Sequence, residues 1–456
     1  MEKGIAILEL RTYFEKLKGK EVLVLGLGVS NRPLVRLLLK YGISVTGCDR
    51  TARDNLEDEV LELERLGCKL HLGEDYLQGI CGDVAFRTPG LHPNKPELIA
   101  LRESGCFMTS EMEAFFEVCP CKIIAVTGSD GKTTTTTLIS EMLRRANYRV
   151  WLGGNIGTPL LDKADEMQAD DKVVLELSSF QLMDLKYSAH IAVVTNLSPN
   201  HLDVHRDMAE YIEAKTHIFT EQTAEDVLIL NRDNEITNDF VPMAKGSYKR
   251  FSRKEKADVY LQDGVIYRGD QAVLKQSDIL LPGIHNVENY MAAILAVDGM
   301  VSDEDIVYVA KNFGGVEHRI ELVRVKDGVR FYNDSIASSP TRTIAGLRSF
   351  ADKVILIAGG YDKGIPFDEL GEEIAKSVKL LICTGATGEK IAQATERTGA
   401  APEILRIEDF YESIRVAAER AQEGDAVILS PAGPAFDKFK NFMVRGAEFK
   451  KTVMEL

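Results

Sequence analysis

The sequence predicts an α/β fold built on parallel sheets and divided into three domains. Two observations carry this. Apolar, β-rich runs ending in glycine recur along the chain: VLVLGLG (22–28), IIAVTG (123–128), VILIAGG (354–360), LLICTG (380–385) and VILSPAG (427–433). Helical patterns such as NRPLVRLLLKYG and KTTTTTLISEMLRRANY follow them or intervene. Continuous apolar strands alternating with helices are strands buried on both faces, as in a parallel sheet covered by helices. The second observation is length. At about 150 residues per domain, 456 residues suggest three domains. Breaks are expected near 110, after a run of short α/β units, and near 315, in KNFGGVEHRIELV. The divisions are 1–109, 110–315 and 316–456.

In the first domain, GLGVSN (26–31) follows the strand EVLVL, with Asn31 in place of the third glycine of G-x-G-x-x-G. A tight turn of this kind delivers backbone N–H groups at a helix N-terminus to a diphosphate. Asp49 ends the next strand, about where an acidic residue meets a ribose hydroxyl. The motif alone leaves both a bound nucleotide and a structural strand–helix turn open. RTPG (87–90) ends a later strand on the same crevice.

The central domain opens with VTGSDGKTTTT (126–136). Two residues separate Gly128 from Gly131, where the standard phosphate loop has four. The parts of such a loop are nonetheless present. Two glycines allow the turn, Lys132 reaches β and γ phosphates, and the Thr133 hydroxyl suits Mg2+, which prefers oxygen ligands. Thr134 opens the helix. The bland alternative is a plain strand–helix turn. Glu176 lies within the apolar run VVLELSSFQL (173–182), where a carboxylate is costly unless paired or metal-bound, or else faces solvent at the strand end. VVTNLSPNHLDVH (193–205) ends a strand in a polar loop with His201 and Asp203; His201 is a metal candidate, although a lone histidine is more often structural. MAEYIEAKTHIF (208–219) reads as a helix in which Lys215 is an ordinary solvated lysine. Residues 241–282 read as short, polar, hairpin-like strands forming a small β insertion.

Composition excludes several classes. Net charge is −15, from 55 basic and 70 acidic residues. That disfavours nucleic acid, whose binding rests on a basic surface. No apolar run approaches the ~20 residues that span a bilayer, and the N-terminus lacks a signal-peptide apolar core. A cytoplasmic protein is expected, a monomer with neither nucleic acid nor membrane as partner. The seven cysteines (48, 68, 81, 106, 119, 121, 383) are scattered and odd in number, as for free thiols in a reducing compartment.

Taken together, TGSDGKTT, GGNIG (153–157), LELSSFQL, NLSPNHLDVH, AKTHIF, LPGIHNVENYMAA (281–293), EHRIE (317–321), NDS (333–335), AGGYDKG (358–364) and SPAGPAFDKFKNFMVRGAEF (430–449) resemble the Mur ligases, the ATP-dependent amide-forming enzymes of peptidoglycan precursor synthesis. The family's short loop, T-G-x-x-G-K-[ST], is matched by TGSDGKT. LELSSFQL and the C-terminal SPA segment resemble the branch that adds D-glutamate to UDP-N-acetylmuramoyl-L-alanine. The resemblance implies a Rossmann-like N-terminal domain for the UDP substrate, a central P-loop-type ATPase domain and a Rossmann-like C-terminal domain for the amino acid.

It also implies roles. Gly128, Gly131, Lys132, Thr133 and Thr134 bind ATP phosphates with Mg2+, and Asn289, Arg319 and Asp334 match further ATP positions. Thr133, Glu176, His201 and Lys215 match the metal site, Lys215 being the lysine that CO2 carbamylates. Lys132, His201 and Lys215 carry the catalysis. Val29, Ser30, Asp49, Arg50, Thr51 and Gly90 match the uridine diphosphate site, and Asn155 and His201 the muramoyl contacts. Ser338, Lys363 and Phe442 match the amino-acid site. There the chain departs from the family: Ile336 replaces a lysine, Ser338 a threonine and Ala435 a serine. Three rivals remain at this point. The nearest is another ligase of the same family, adding a different amino acid or adding glutamate to a folate; folate ligases lack a UDP-type first domain, so GLGVSN argues against them. An NAD-dependent dehydrogenase built on GLGVSN leaves the central loop and Lys215 unexplained, and a nucleotide switch leaves AGGYDKG and SPAGPAFDKF without a purpose.

Overall fold

The structure, a computed structural model, describes residues 8–202 and 204–456. Asp203 lies outside the described residues. The fold is α/β with three sheets. The first contains β1 (Glu21–Leu25), β2 (Ser44–Asp49), β3 (Lys69–Leu72), β4 (Val84–Arg87) and β5 (Phe107–Thr109), all parallel, in the order β3-β2-β1-β4-β5. The order reverses between β1 and β4, so the GLGVSN and RTPG turns flank the switch point where such sheets bind ligands.

The second sheet has nine strands: β6 (Lys122–Thr127), β7 (Val150–Gly154), β8 (Lys172–Glu176), β9 (Ile191–Val194), β10 (Val227–Asn231), β11 (Ser247–Ser252), β12 (Val259–Gln262), β13 (Val265–Arg268) and β14 (Gln271–Lys275). Their order is β14-β13-β12-β11-β10-β9-β6-β8-β7. The switch falls between β6 and β9, which pair in parallel with Thr127 opposite Val194. The glycine loop after β6 and the polar loop after β9 therefore leave the sheet side by side.

The polar segment expected as a small β insertion extends this sheet. β11 pairs in parallel with β10, and β12 and β13 form an antiparallel hairpin through Asp263–Gly264, both at positive φ. Phe251, Ser252, Val259, Tyr260 and Ile266 are buried, while the outer residues of these edge strands face water.

The third sheet contains β15 (Glu321–Lys326), β16 (Val329–Asn333), β17 (Val354–Ala358), β18 (Val378–Cys383), β19 (Glu403–Arg406) and β20 (Ala426–Leu429), in the order β15-β16-β20-β17-β18-β19. Only β15 runs antiparallel. Alternate residues of β17 enter cores on opposite faces: Val354, Leu356 and Ala358 on one, Ile355 and Ile357 on the other.

The chain forms two compact units. One comprises the first two sheets with Glu288–Val309, and the other Lys275–Val287 with Ala310–Leu456. In the first unit one apolar core runs from Val24 and Phe86 through Phe115 to Ile123, Leu175 and Leu230. Among the described residues no helix is long and apolar enough to cross a membrane.

Candidate active site

β6 ends in a loop that only glycine permits. Gly128 has φ 151° and Gly131 φ 78°. A Cβ on Gly128 would collide with Thr195 Oγ1, and one on Gly131 with the Asn289 side chain. Gly131 also sits at the N-cap of the helix Lys132–Arg145. The loop is clamped from its neighbours. Ser129 Oγ donates to Ser198 O at 2.9 Å, accepts from Ser198 N–H at 2.9 Å and lies 3.0 Å from the Tyr211 hydroxyl. Thr195 Oγ1 donates to Asp130 O at 2.6 Å, and Asp130 N–H to Asn196 Oδ1 at 3.0 Å. Lys132 Nζ folds back over the turn, donating to Gly128 O (3.0 Å) and Ser129 O (2.9 Å). Thr133 is buried behind it, and Asn289 accepts from Thr135 Oγ1 at 3.3 Å. This is a clamped strand–helix turn at a helix N-terminus with one cation folded over it, an arrangement suited to a polyphosphate.

Beside the turn lie two buried charged side chains. Lys215 is 2% exposed; Nζ donates to Thr127 Oγ1 (3.1 Å) and Gly128 O (2.9 Å). Burial drives its pKa well below the ordinary lysine value; the nearby Lys132 charge adds to this, and Glu176 partly opposes it. The lysine expected from the helix alone to be solvated is thus a buried amine. Glu176 is 1% exposed at the end of β8. Its Oε1 accepts from Asn155 Nδ2 at 2.7 Å, and its Oε2 is buried without a hydrogen-bond partner. Such an atom is costly in water-free surroundings and suits a cation. His201, at φ 55°, packs edge-on against Phe180 at 5.1 Å. Among the described residues no three His, Cys, Asp or Glu side chains gather at metal-ligating spacing. The present donors are a carboxylate, a hydroxyl and an imidazole, with an amine that is no Mg2+ ligand until it becomes an oxygen donor.

The first sheet brings its predicted residues to one rim. Val29 and Ser30 follow β1, Asp49, Arg50 and Thr51 close β2, and Gly90 follows β4. Asp49 is committed to backbone: Oδ2 accepts from Leu27 N–H (2.7 Å) and Oδ1 from Thr51 N–H (2.9 Å). It therefore fixes the glycine turn against the β2 exit. Asn31 donates to Gly26 O at 2.8 Å, which accounts for asparagine where the nucleotide motif has glycine. Val29 is 75% exposed, and Arg50 pairs with Glu74 in water. A small cavity on this rim is lined by Ser30, Arg87 and Pro89 together with Gly154 and Phe180 from the second sheet.

In the second unit the loops after β16, β17 and β20 converge. Ser335 Oγ donates to Phe442 O at 2.8 Å. Arg445, 3% exposed, donates to Ser335 Oγ (3.0 Å), Ser335 O (2.9 Å), Gly433 O (3.0 Å) and Pro434 O (3.2 Å). Tyr361 N–H donates to the same Pro434 O at 2.8 Å, which places the Lys363 loop beside the NDS and SPAGPA turns. Asp334 accepts from Ser430 Oγ at 2.7 Å and Ile320 N–H at 3.3 Å. Arg319 lies in a tight turn between His318 (φ 64°) and Ile320 (φ 43°). Ser338 and Phe442 are half-buried, Lys363 is exposed, and Ala435 is buried, its carbonyl accepting from Lys438 and Phe439 N–H.

Residues 126–297 match the Mur ligase middle domain, and residues 318–433 match the glutamate ligase domain of Mur ligases. The UDP-N-acetylmuramoylalanine–D-glutamate ligase of Acetivibrio thermocellus is 52% identical, with 98% of each chain covered. The chain belongs to the Mur ligase family. The enzyme of the same name from Clostridium novyi is 50% identical over 96% of this chain and 98% of its own. Among solved structures, the UDP-N-acetylmuramate–alanine ligase of Thermotoga maritima superposes with a TM-score of 0.58 at 19% identity, covering 96% of this chain and 99% of that one. This shares the Mur ligase fold.

Two residues of this Mur ligase escape a sequence reading. Arg445 and Ser430 sit inside quoted motifs, but nothing in their spacing shows that one ties the loop after β16 to the loop after β20 and the other holds Asp334. His205 is likewise buried, with Nε2 2.9 Å from Ser179 Oγ. Burial pushes Asp334 from its ordinary 3.8 up to about 7, although the Ser430 and Ile320 hydrogen bonds and the Arg319 and Arg342 charges oppose it. The unfolded carboxyl ionises near 3.8 while the folded one keeps its proton to about 7, so this group's contribution to stability falls as pH rises through that window. Asp334→Asn is expected to flatten the fall. Urea unfolding at about pH 5 and about pH 8 checks it; equal pH slopes in variant and wild type would refute it.

Proposed function

We propose that this Mur ligase joins D-glutamate to the L-alanine carboxylate of UDP-N-acetylmuramoyl-L-alanine at the expense of ATP, as a cytoplasmic monomer making peptidoglycan precursor. The observation that carries the reading is about half-identity, over nearly the whole chain, to ligases named for that substrate pair. Residues 1–109 take the UDP moiety, through the rim of Val29, Ser30, Asp49, Arg50, Thr51 and Gly90. Residues 110–315 take ATP phosphates on Gly128–Thr134 with Asn289, and residues 316–456 supply Arg319 and Asp334 to ATP and Ser338, Lys363 and Phe442 to the amino acid.

Lys215 acts as a carbamate. Its lowered pKa supplies the neutral amine that adds to CO2, forming an N–C bond and releasing one proton. The product is a carboxylate-like oxygen donor beside the unpartnered Glu176 Oε2. Thr133, Glu176, His201 and this carbamate would then hold Mg2+, which supplies charge neutralisation on the phosphates. Asn155 holds Glu176 and meets the muramoyl part with His201. The L-alanine carboxylate attacks the γ-phosphorus, giving an acyl phosphate and ADP. The D-glutamate amine attacks the acyl carbon, and the tetrahedral intermediate expels phosphate. Lys132 leaves its two carbonyl partners to follow the charge on the transferring phosphoryl group.

Phosphate release with UDP-N-acetylmuramoyl-L-alanine is expected with D-glutamate and not with L-glutamate, L-lysine or meso-diaminopimelate. Lys132→Ala should lower kcat by about 10²–10³-fold, the loss typical of one donor to developing charge. Turnover with another amino acid would move the enzyme to a different step of the family; turnover with none would end the ligase reading.

A further inference from the structure

The amino acid proposed above carries two carboxylates, and each calls for a cation or several donors. The cations around the β16, β17 and β20 loops are not equally available. The Arg445 guanidinium is buried and committed to Ser335, Gly433 and Pro434. Lys390 is paired with Asp362, and Lys450 with Glu317 and Glu321. Lys363 stands exposed and supplies one charge. Arg342 offers a second. It lies in the first turn of the helix Pro340–Leu347, two residues beyond that helix's start and four beyond Ser338. Its Nη1 donates to Ile336 O at 3.3 Å, and among the described residues it meets no carboxylate at ion-pair distance. The guanidinium therefore hangs over the loop that carries Asp334 and Ser338, at the backbone carbonyl of Ile336.

We propose that Arg342 is a substrate-binding residue that takes one carboxylate of the dicarboxylic amino acid, supplying from the helix the charge that Ile336 cannot supply from the loop. The inference rests on the proposed ligase reaction. A single, long hydrogen bond to a neutral carbonyl is easily exchanged for a bidentate bond to a carboxylate, which the planar guanidinium matches. Lys363 then serves the second carboxylate.

The test is steady-state kinetics on the full chain, varying each of the three substrates in turn. Arg342→Met is expected to raise KM for D-glutamate about 10- to 100-fold, the range for a lost charged hydrogen bond. KM for ATP and for the UDP substrate, and the melting temperature, should stay at wild-type values, since the side chain is exposed. Arg342→Lys should lie between. Adding Ile336→Lys to Arg342→Met should recover part of the amino-acid KM, because a lysine there reaches the space the guanidinium leaves. A fold-only role would give no such rescue. Unchanged KM for D-glutamate in Arg342→Met, a rise in KM for ATP in its place, or no recovery in the double variant would each overturn the assignment. Wild-type turnover with D-glutamate is the control: its absence overturns the reaction and the inference together, whereas its presence with an unaltered variant overturns Arg342 alone.

Discussion

Lys215→Met is expected to lose about 10²–10³-fold in kcat while the fold keeps or gains stability. The two effects have separate causes. Methionine fills the lysine stem's volume without an amine to strip of water, and replacing buried polar groups by apolar ones of similar size is often neutral or stabilising. The acceptors left behind are not orphaned: Gly128 O keeps Lys132 Nζ, and Thr127 Oγ1 keeps its bond to Leu177 O. The activity loss follows because thioether carbon and sulfur offer no hard oxygen to a magnesium ion. Wild-type enzyme should likewise lose turnover in CO2-free buffer and regain it with bicarbonate, and 13C-labelled bicarbonate should give a carbamate carbon resonance that Lys215→Met lacks. Full activity in Lys215→Met, or indifference to CO2, would remove the carbamate from the mechanism.

Arg445→Met is expected to destabilise the C-terminal unit by about 2–5 kcal/mol, the cost of about two buried carbonyls left without donors. Pro434 O would keep the Tyr361 amide, but Ser335 O and Gly433 O would lose the guanidinium donors at 2.9 and 3.0 Å. Arg445→Lys should recover only part, because an ammonium cannot bridge the two loops as a planar fork does. Urea denaturation measures it, and a midpoint unchanged in Arg445→Met would show that the loops hold themselves.

Much of this was legible in the sequence, for identifiable reasons. Strands buried on both faces announce themselves by apolar runs, and Gly128 and Gly131 announce the loop because no other residue tolerates those φ values beside Thr195 and Asn289. Glu176 stood out because a carboxylate within an apolar run demands a partner. Lys215 did not. One lysine on a helix of mixed polarity looks solvated, and its burial follows from β6 and the loop above it, contacts that lie about 88 residues away in sequence. Arg445 was hidden for the same reason, since Ser335, on one of the two loops it joins, lies 110 residues away in sequence. The short strands after residue 246 were legible as polar and hairpin-like, but not their place in the sheet, because sequence does not show which sheet an edge strand joins.

The last strand of the third sheet is a central one. β20 lies between β16 and β17, paired with both, although about a hundred residues separate it from β16 in sequence. While the chain is being synthesised, β16 and β17 emerge with an open slot between them, two unpaired strand edges that only the final stretch of polypeptide can close. Pairings so distant in sequence form slowly, and unpaired edges invite aggregation. Completion of the second unit therefore waits for β20 to be synthesised. A product truncated before Ala426 should be cleared or aggregate in the cell, and a ribosome stalled on the last helix should hold this unit in a protease-sensitive state while the first unit, its sheets already complete, resists digestion.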